Sequence, residues 1–253
     1  MNANRKPLVS VIMAAYNAEA YIEEAISSVI RQTVSDWELI VLDDGSSDHT
    51  FEIMERLGKT DSRIQVLKNA RNMGVARTRN AGIDRCSGKY VAFLDSDDIW
   101  NPDKLEKQVA LAESTGAGIV YCSYGIVDAE GNKNKEDYMV PPETDFERLL
   151  RENVVLCSAM MVRAEILNTI RFNPQYYHED FVLMLDMLKA GHRAVGYTDV
   201  LMRWRYIDHS RSFNKRKAAG NRWRVYREYL KLPLMKSIAV MVGYALAGFR
   251  KYR

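Results

Sequence analysis

Two predicted buried strands of this chain each end in a cluster of acidic residues. The apolar run over residues 90–94 is followed directly by Asp95-Ser96-Asp97-Asp98, and the run over residues 38–42 is followed by Asp43-Asp44-Gly45-Ser46-Ser47-Asp48. In open α/β sheets, ligands bind outside the carboxyl ends of the strands. Mg²⁺ is often held by one or two carboxylates together with substrate phosphates. The two strand ends therefore predict a site for a metal-bound nucleotide, although acidic residues also make ordinary turns and helix caps.

The segments around these clusters alternate between strand and helix patterns. Residues 8–14 form a buried-strand pattern, and residues 21–30 place apolar side chains on one helical stripe. Asp48 is a candidate N-cap for a helix over residues 51–57, and residues 64–67 supply the next short strand. Repeated βα units predict an α/β fold, with a mostly parallel, Rossmann-like sheet covered by helices on both faces.

Motifs in the first hundred residues occur in the order found in a known family. They resemble the N-terminal half of inverting family 2 glycosyltransferases with the GT-A fold. The resemblance implies a nucleotide-sugar donor, a divalent metal, and transfer of the sugar with inversion of its anomeric centre. The matching residues are Pro7-Leu8-Val9-Ser10-Val11-Ile12-Met13, Tyr16-Asn17, Gln32-Thr33, Trp37-Glu38-Leu39-Ile40, Asp43-Asp44-Gly45-Ser46, Asn72-Met73-Gly74, Arg79-Asn80-Ala81-Gly82 and Asp95-Ser96-Asp97.

The resemblance also implies roles for single residues at the donor site. Asp44 would contact the base, Tyr16 would stack near it, and Ala14 would line the same site. Arg79 would lie near the ribose or the diphosphate. Taken singly, Asp44 could instead form an Asx turn before Gly45, and Arg79 could form a surface salt bridge.

By the same resemblance, Asp97 would be the ligand of Mn²⁺ or Mg²⁺, and Asp95 would hold the ribose or a metal-bound water. A metal and cationic side chains can stabilise the negative charge of a diphosphate leaving group as the glycosyl bond breaks. Asp98 is predicted to cap the helix that follows, which contains Pro102 near its start, or to support the metal site.

An inverting transfer also needs a base that removes the proton from the acceptor hydroxyl. His178-Glu179-Asp180 opens a predicted helix, where the helix dipole favours ionised carboxylates. From the spacing alone, a simple helix cap is the favoured explanation of this acidic pair. The resemblance implies that the acidic pair is catalytic, with Asp180 as the base, Glu179 orienting the acceptor or binding a backbone amide, and His178 in a supporting role.

The length of 253 residues, with 47% apolar and 27% charged residues, predicts one globular enzyme-sized unit. We expect a GT-A domain over residues 1–213, with a nucleotide-binding half to residue 125 and an acceptor half from residue 126, and a helical extension over residues 214–253. Three widely spaced cysteines give no disulfide framework or zinc motif. The N-terminus runs into the first strand without an apolar signal segment, which predicts a cytoplasmic protein.

Lysine, arginine and aromatic residues crowd residues 203–231, although the net charge of the chain is only +3. Such a segment can bind nucleic acid, but nothing else in the chain suggests base readout. Residues 232–249 are mostly apolar, and Pro233 and Lys236 argue against a transmembrane span. We expect a helix lying in the interface of an anionic membrane at the inner face of the cell membrane, with packing on the core or on a partner chain as the alternative.

His209-Ser210-Arg211-Ser212 resembles a loop that closes over the donor diphosphate, where His209 or Arg211 would neutralise leaving-group charge. The chain lacks the Gln-x-x-Arg-Trp motif of processive relatives. The resemblance thus favours addition of one sugar, with UDP as the commonest donor nucleotide, to a glycan acceptor on a lipid carrier in surface polysaccharide synthesis. The alternatives are a nucleotidyltransferase that makes a nucleotide sugar and a non-catalytic protein that binds one.

Overall fold

A computed structural model of the chain describes residues 6–207 and 215–251. Its first half confirms the alternation of strands and helices that the sequence predicts. The helix that follows the first strand begins at Ile22, and Asn17 in the loop before it adopts a left-handed backbone conformation with φ of 47°. The elements are β1 (Val9–Ala15), α1 (Ile22–Ile30), β2 (Trp37–Asp43), α2 (Thr50–Gly58), β3 (Ile64–Lys68), α3 (Val75–Ile83) and β4 (Tyr90–Phe93).

The second half is less regular. Its strands and helices are β5 (Ile99–Trp100), α4 (Lys104–Thr115), β6 (Ile119–Val127), β7 (Glu143–Thr144), α5 (Phe146–Arg151), β8 (Met161–Arg163), α6 (Glu179–Lys189) and β9 (Ala194–Arg205). Between α5 and β8 the chain forms a short 3₁₀ turn at Cys157–Ala159, and β8 begins at Met161. A 3₁₀ helix, Ala164–Asn168, follows β8.

The strands of both halves join one sheet. Within the described residues it has nine strands in the order β3-β2-β1-β4-β8-β6-β9-β5, with β7 also paired to β9. The pairs β1–β2, β2–β3, β1–β4 and β6–β9 are parallel, and β5, β7 and β8 run in the opposite direction. The sheet is therefore mixed but mostly parallel, as predicted. The predicted division at residue 125 lies within β6 and stays a prediction.

Two apolar cores lie on the two faces of this sheet. Alternate residues of one strand face opposite cores, so that Val11 belongs to the core beneath α1 and Ile12 to the core beneath α3. The first core also contains Leu105 of α4, and the second contains Val182 of α6. Burial on both faces is the reason that the strands read as continuous apolar runs in the sequence.

The predicted C-terminal extension consists of α7 (Lys215–Arg224), a π-helical turn (Val225–Tyr229) and α8 (Leu234–Lys251). It packs on the second core. The Tyr226 hydroxyl donates a hydrogen bond of 2.5 Å to the Leu150 carbonyl at the end of α5, and the Tyr229 hydroxyl lies 2.6 Å from an Asp186 carboxylate oxygen on α6. In the described parts of the chain, no helix has the length and apolar character needed to cross a membrane.

Lys104, in the first turn of α4, is a fully buried cation. Its Nζ donates to Gln108 Oε1 at 2.7 Å and lies 3.9 Å from the centre of the Trp100 ring. Burial lowers the pKa of Lys104 from 10.5 to about 8. Because this pKa is lower in the folded state than in the unfolded state, folding carries a cost at pH 7 that disappears as pH rises from 8 to 10.5.

We therefore expect Lys104→Met to raise the free energy of unfolding at pH 7 by about 1–2 kcal/mol, because it removes the buried charge. The gain is limited because Gln108 loses its hydrogen-bond donor. This gain should shrink toward zero by about pH 10, where wild-type Lys104 is already neutral. Urea denaturation at both pH values measures it. Lys59→Met, at an exposed lysine, is the control, and an equal gain at both pH values would contradict the explanation.

Candidate active site

The carboxyl ends of the parallel strands bring the predicted donor residues to one edge of the sheet. Ala15 at the end of β1 is in register with Asp43 at the end of β2, and the Leu94 amide donates to the Ile12 carbonyl of β1. Ala14 is half-buried at this edge, and Tyr16, just beyond β1, is 49% exposed. The ring of Tyr16 is accessible for stacking.

Asp44 is buried, and its carboxylate is hydrogen-bonded within the protein. It accepts from the amides of Met73 and Gly74 at 2.9 and 2.8 Å and from Asn69 Nδ2 at 2.8 Å. The loop after β2 lies directly against the loop before α3. The approach is so close that a Cβ on Gly45 would be 2.8 Å from the backbone of Arg71. Asp44 thus fixes the N-terminus of α3 at the candidate site. Its predicted contact with a base stays a prediction.

The acidic run after β4 places its three carboxylates in different surroundings. Asp95 is partly exposed, and its amide donates to Ser158 Oγ at 3.0 Å. Asp97 is half-buried, and burial together with the neighbouring Asp95 raises its pKa to about 6. Asp98 is buried, accepts the Arg205 amide at 3.0 Å, and has its pKa raised by burial and by Asp97. Asp98 therefore does not cap α4, whose N-cap is Asp103.

Arg205, the last residue of β9, holds the backbone of this acidic run. It is only 3% exposed, and its Nε donates to the Asp97 carbonyl at 2.9 Å. Its Nη1 donates to the Ala129 carbonyl and its Nη2 to a Glu24 carboxylate oxygen, each at 2.6 Å. One buried guanidinium thus ties the run containing Asp97 to α1, to β9 and to the turn after β6.

Arg79 of α3 joins the acidic run to the predicted catalytic pair. It is 5% exposed; Nη2 lies 2.5 Å from Asp95 Oδ1 and Nη1 lies 2.9 Å from Glu179 Oε1. Burial alone would lower the pKa of Arg79, but the carboxylates of Asp95 and Glu179 hold it well above its usual value. Arg79 is therefore a permanent cation between two carboxylates.

The acidic pair lies at the N-terminus of α6, as predicted. Glu179 is buried and paired with Arg79. Asp180 is half-buried, its Oδ1 accepts the Phe181 amide at 2.8 Å, and it forms no ion pair with any described residue. His178 lies beside the pair, with Nε2 2.9 Å from the Ala218 carbonyl of α7. Of the two carboxylates, Asp180 is the more accessible to a reacting hydroxyl.

The donor set fits a divalent cation that a substrate completes. Among the described residues, no three histidine, cysteine or acidic side chains form a metal cluster. Asp97, however, is a half-buried carboxylate with a raised pKa, and a bound cation would stabilise its charged form. Mg²⁺ commonly takes one or two carboxylates and completes its shell with phosphates and water. Asp97 and Asp95 can supply those carboxylates.

Several of these contacts have no signal in the sequence. Arg205 and Ser158 hold the acidic run from positions 107 and 63 residues away in the chain, and Glu179 binds Arg79 across 100 residues. The predicted residues His209 and Arg211 lie outside the described residues. The remaining predicted site residues lie at or beside the carboxyl edge: Ala14, Tyr16, Asp44, Arg79, Asp95, Asp97, Glu179 and Asp180.

The family model Glycosyl transferase family 2 matches residues 10–171. The chain is 36% identical over 248 residues to TuaG of Bacillus subtilis, a protein named for teichuronic acid biosynthesis, and the match covers 98% of each chain. It is 35% identical over 247 residues to WfgD of Escherichia coli, covering 97% of this chain and 95% of the relative. WfgD is named a UDP-Glc:α-D-GlcNAc-diphosphoundecaprenol β-1,3-glucosyltransferase.

Solved structures confirm the GT-A type of fold. Staphylococcus aureus TarS 1–349 in complex with UDP-GlcNAc aligns with a TM-score of 0.74 at 21% identity, over 98% of this chain and 74% of that one. The mannosyltransferase PcManGT of Pyrobaculum calidifontis, in complex with GDP-Man and Mn²⁺, aligns with a TM-score of 0.71 at 19% identity, over 96% and 74%. At these identities the likeness concerns the fold alone.

Proposed function

The chain belongs to glycosyl transferase family 2, as its motifs predict, and we propose that it moves one sugar from a UDP-sugar to a lipid-linked glycan, with inversion. The observation that carries the proposal is the Arg79 bridge. It links Asp95, in the predicted metal motif, to Glu179, beside the predicted base, through a buried guanidinium. The donor and acceptor halves of one site are thereby held in a fixed relation.

The donor nucleotide lies, in this proposal, along the ends of β1, β2 and β4. Tyr16 is exposed just beyond β1, and Ala14 near the end of the same strand is half-buried. Asp44 is buried and its carboxylate accepts the amides of Met73 and Gly74, so in this proposal it fixes the loop that faces the base. UDP is favoured because WfgD is named for UDP-Glc and TarS was solved with UDP-GlcNAc.

Asp97 holds the divalent metal in this proposal, with Asp95 contributing through water or binding the ribose. When bound, the cation supplies positive charge for the diphosphate that leaves. Arg205 keeps the Asp97 backbone in place, and its charge, together with that of Arg79, partly offsets the two carboxylates. His209 and Arg211 are proposed to meet the diphosphate from the other side.

Asp180 is the general base in this proposal. Its carboxylate is half-buried at a helix N-terminus and forms no ion pair with a described residue, so it can accept a proton from the acceptor hydroxyl. Glu179 serves a different purpose, because its carboxylate is paired with Arg79. A proton acceptor opposite the leaving diphosphate gives single displacement and hence inversion.

The acceptor is proposed to be a glycan on a lipid carrier, used in surface polysaccharide biosynthesis at the cytoplasmic face of the membrane. Two relatives support this: WfgD is named for a diphosphoundecaprenol-linked acceptor, and TuaG for teichuronic acid biosynthesis. Both align with this chain over nearly its whole length. The proposed partners are therefore a nucleotide sugar, a lipid-linked glycan and the anionic membrane, with no nucleic acid.

A transfer assay tests the proposal. The full chain is incubated with Mn²⁺, an α-linked UDP-sugar and GlcNAc-diphosphoundecaprenol, using UDP-glucose first and other UDP-sugars next. We expect a product one sugar longer, with the new linkage in the β configuration by NMR. An α-linked product would contradict inversion by a single displacement. If no UDP-, GDP- or dTDP-sugar were consumed with any lipid-linked acceptor, the transferase assignment would fail.

A further inference from the structure

One face of α8 is apolar and uncovered by any described residue. Leu234, Ile238, Val242 and Leu246 follow one another at intervals of four residues, and Met235 lies on the same side. Their exposed fractions are between 44% and 76%, the largest group of exposed large apolar side chains in the described parts of the chain. The two alanines on this side, Ala239 and Ala245, are exposed as well. We call this surface the α8 stripe.

The opposite face of α8 is packed on the protein. Ser237 and Val240 are buried, and a Cβ on Gly243 would be 3.1 Å from the Arg151 side chain of α5. Lys236 Nζ, at the border, lies 2.6 Å from a Glu147 carboxylate oxygen. The inner face of α8 thus packs on the protein through Ser237, Val240 and Gly243, whereas its outer face is apolar and exposed. Such a face needs a partner.

The surroundings of the α8 stripe are strongly cationic. Residues 215–251 contain ten lysines and arginines and one acidic residue, Glu228, in a chain of net charge +3. Lys231, just before α8, is exposed. In a symmetric pairing of two copies through this helix, these cations would face their own counterparts. The charge therefore disfavours a second copy and favours an anionic lipid surface.

The same extension is joined to the helix that carries the proposed base. The guanidinium of Arg222 in α7 is 2% exposed and lies 3.4 Å from the ring centre of Phe181 and 4.7 Å from that of Tyr244. Phe181 directly follows Asp180, and Tyr244 lies in α8. A surface that binds α8 is therefore coupled, through one stacked arginine, to the N-terminus of α6.

We propose that the α8 stripe docks in the interface of an anionic membrane. Arg222, stacked between α8 and the Asp180 end of α6, then holds that end in a fixed position relative to the membrane, so that the site faces an acceptor carried by the lipid. The lipid-borne acceptor rests on the proposed function. The docking itself rests only on the apolar stripe and the charge around it. Exposed aliphatic side chains with neighbouring cations are the pattern of interfacial helices.

Flotation of the full chain with vesicles tests the docking. Vesicles of equal parts phosphatidylglycerol and phosphatidylcholine are compared with vesicles of phosphatidylcholine alone. The variant I238S/V242S/L246S changes only exposed side chains, and we expect it to lower partition onto the anionic vesicles by at least about tenfold. Lys231→Glu should lower it by about fivefold. Met139→Ser, at an exposed methionine outside α8, is the matched control and should bind like the wild type.

The outcomes separate the docking from the proposed reaction. The docking is supported if the wild type floats only with anionic lipid and the triple variant does not float but keeps its circular dichroism spectrum. This conclusion holds even if no sugar is transferred. Transfer to an acceptor without a lipid tail should be equal in the triple variant and the wild type, whereas transfer to a vesicle-borne acceptor should fall with flotation. Equal flotation of both proteins would overturn the proposal. It would also be overturned if the wild type were a dimer that bound no vesicles and the triple variant were a monomer.

Discussion

Replacement of Asp180 with Asn is expected to lower the turnover number at least about a thousandfold, because the amide cannot accept the proton of the acceptor hydroxyl. Affinity for the donor nucleotide should stay unchanged, since Asp180 lies on the proposed acceptor side of the site, next to Glu179 and not in the run after β4. Initial rates with a UDP-sugar, together with calorimetric titration of UDP and Mn²⁺, measure the two quantities on one preparation.

The control for this change is Asp186→Asn on the same helix. Asp186 binds the Tyr229 hydroxyl of the C-terminal extension, far along α6 from the Asp180 end. Its replacement should cost stability and leave the rate per folded molecule within a few fold of the wild type. If Asp180→Asn kept wild-type turnover, Asp180 would not be the base. If it lost donor binding as well, the residue would instead serve the shape of the site.

Replacement of Asp97 with Ala is expected to weaken Mn²⁺ binding in the presence of UDP by about a hundredfold or more, because the proposed direct carboxylate ligand is removed. Electron paramagnetic resonance of free Mn²⁺ measures this binding without reference to turnover. The nucleotide should then bind with the same weak affinity with and without metal. The protein should remain folded, since removing Asp97 also removes a half-buried carboxylate whose pKa is raised to about 6.

Asp84→Ala serves as the matched control for this loss. Asp84 follows α3 at its C-terminal end, whereas the N-terminus of α3 faces the site, and its side chain is 66% exposed and paired with Arg171. The control should bind Mn²⁺ and UDP like the wild type. Unchanged Mn²⁺ binding in Asp97→Ala would remove the metal assignment, and a loss in both variants would point to a general effect of charge.

The sequence predicts the first half of the fold well because its elements are formed by local patterns. Residues 9–15, 37–43 and 90–93 read as buried strands since both faces of the sheet are covered, and the first two are each followed by a helix with one apolar stripe. The second half depends on long-range pairing. The short strands β5, β7 and β8 have two or three residues each, too few for a periodic signal, and the sheet neighbours supply their geometry.

The candidate site shows the same division. The acidic runs and the pair Glu179-Asp180 are visible as sequence motifs, but their connections are not. Nothing in the sequence around Arg79 indicates that its guanidinium lies between Asp95 and Glu179, because the contact spans 100 residues to one of them. Arg205 reads as one of many cations in a basic segment, although it is buried beneath the predicted metal motif. Burial is the property that separates these two arginines from the exposed ones.

The most direct test of a nucleotide-sugar site at the carboxyl edge is calorimetric titration of the full chain with UDP, GDP and dTDP, each with and without Mn²⁺. We expect one nucleotide, UDP, to bind tightly only when the metal is present, and Asp97→Ala to abolish that dependence. Binding of none of the three nucleotides under either condition would contradict the assignment of this edge as a donor site.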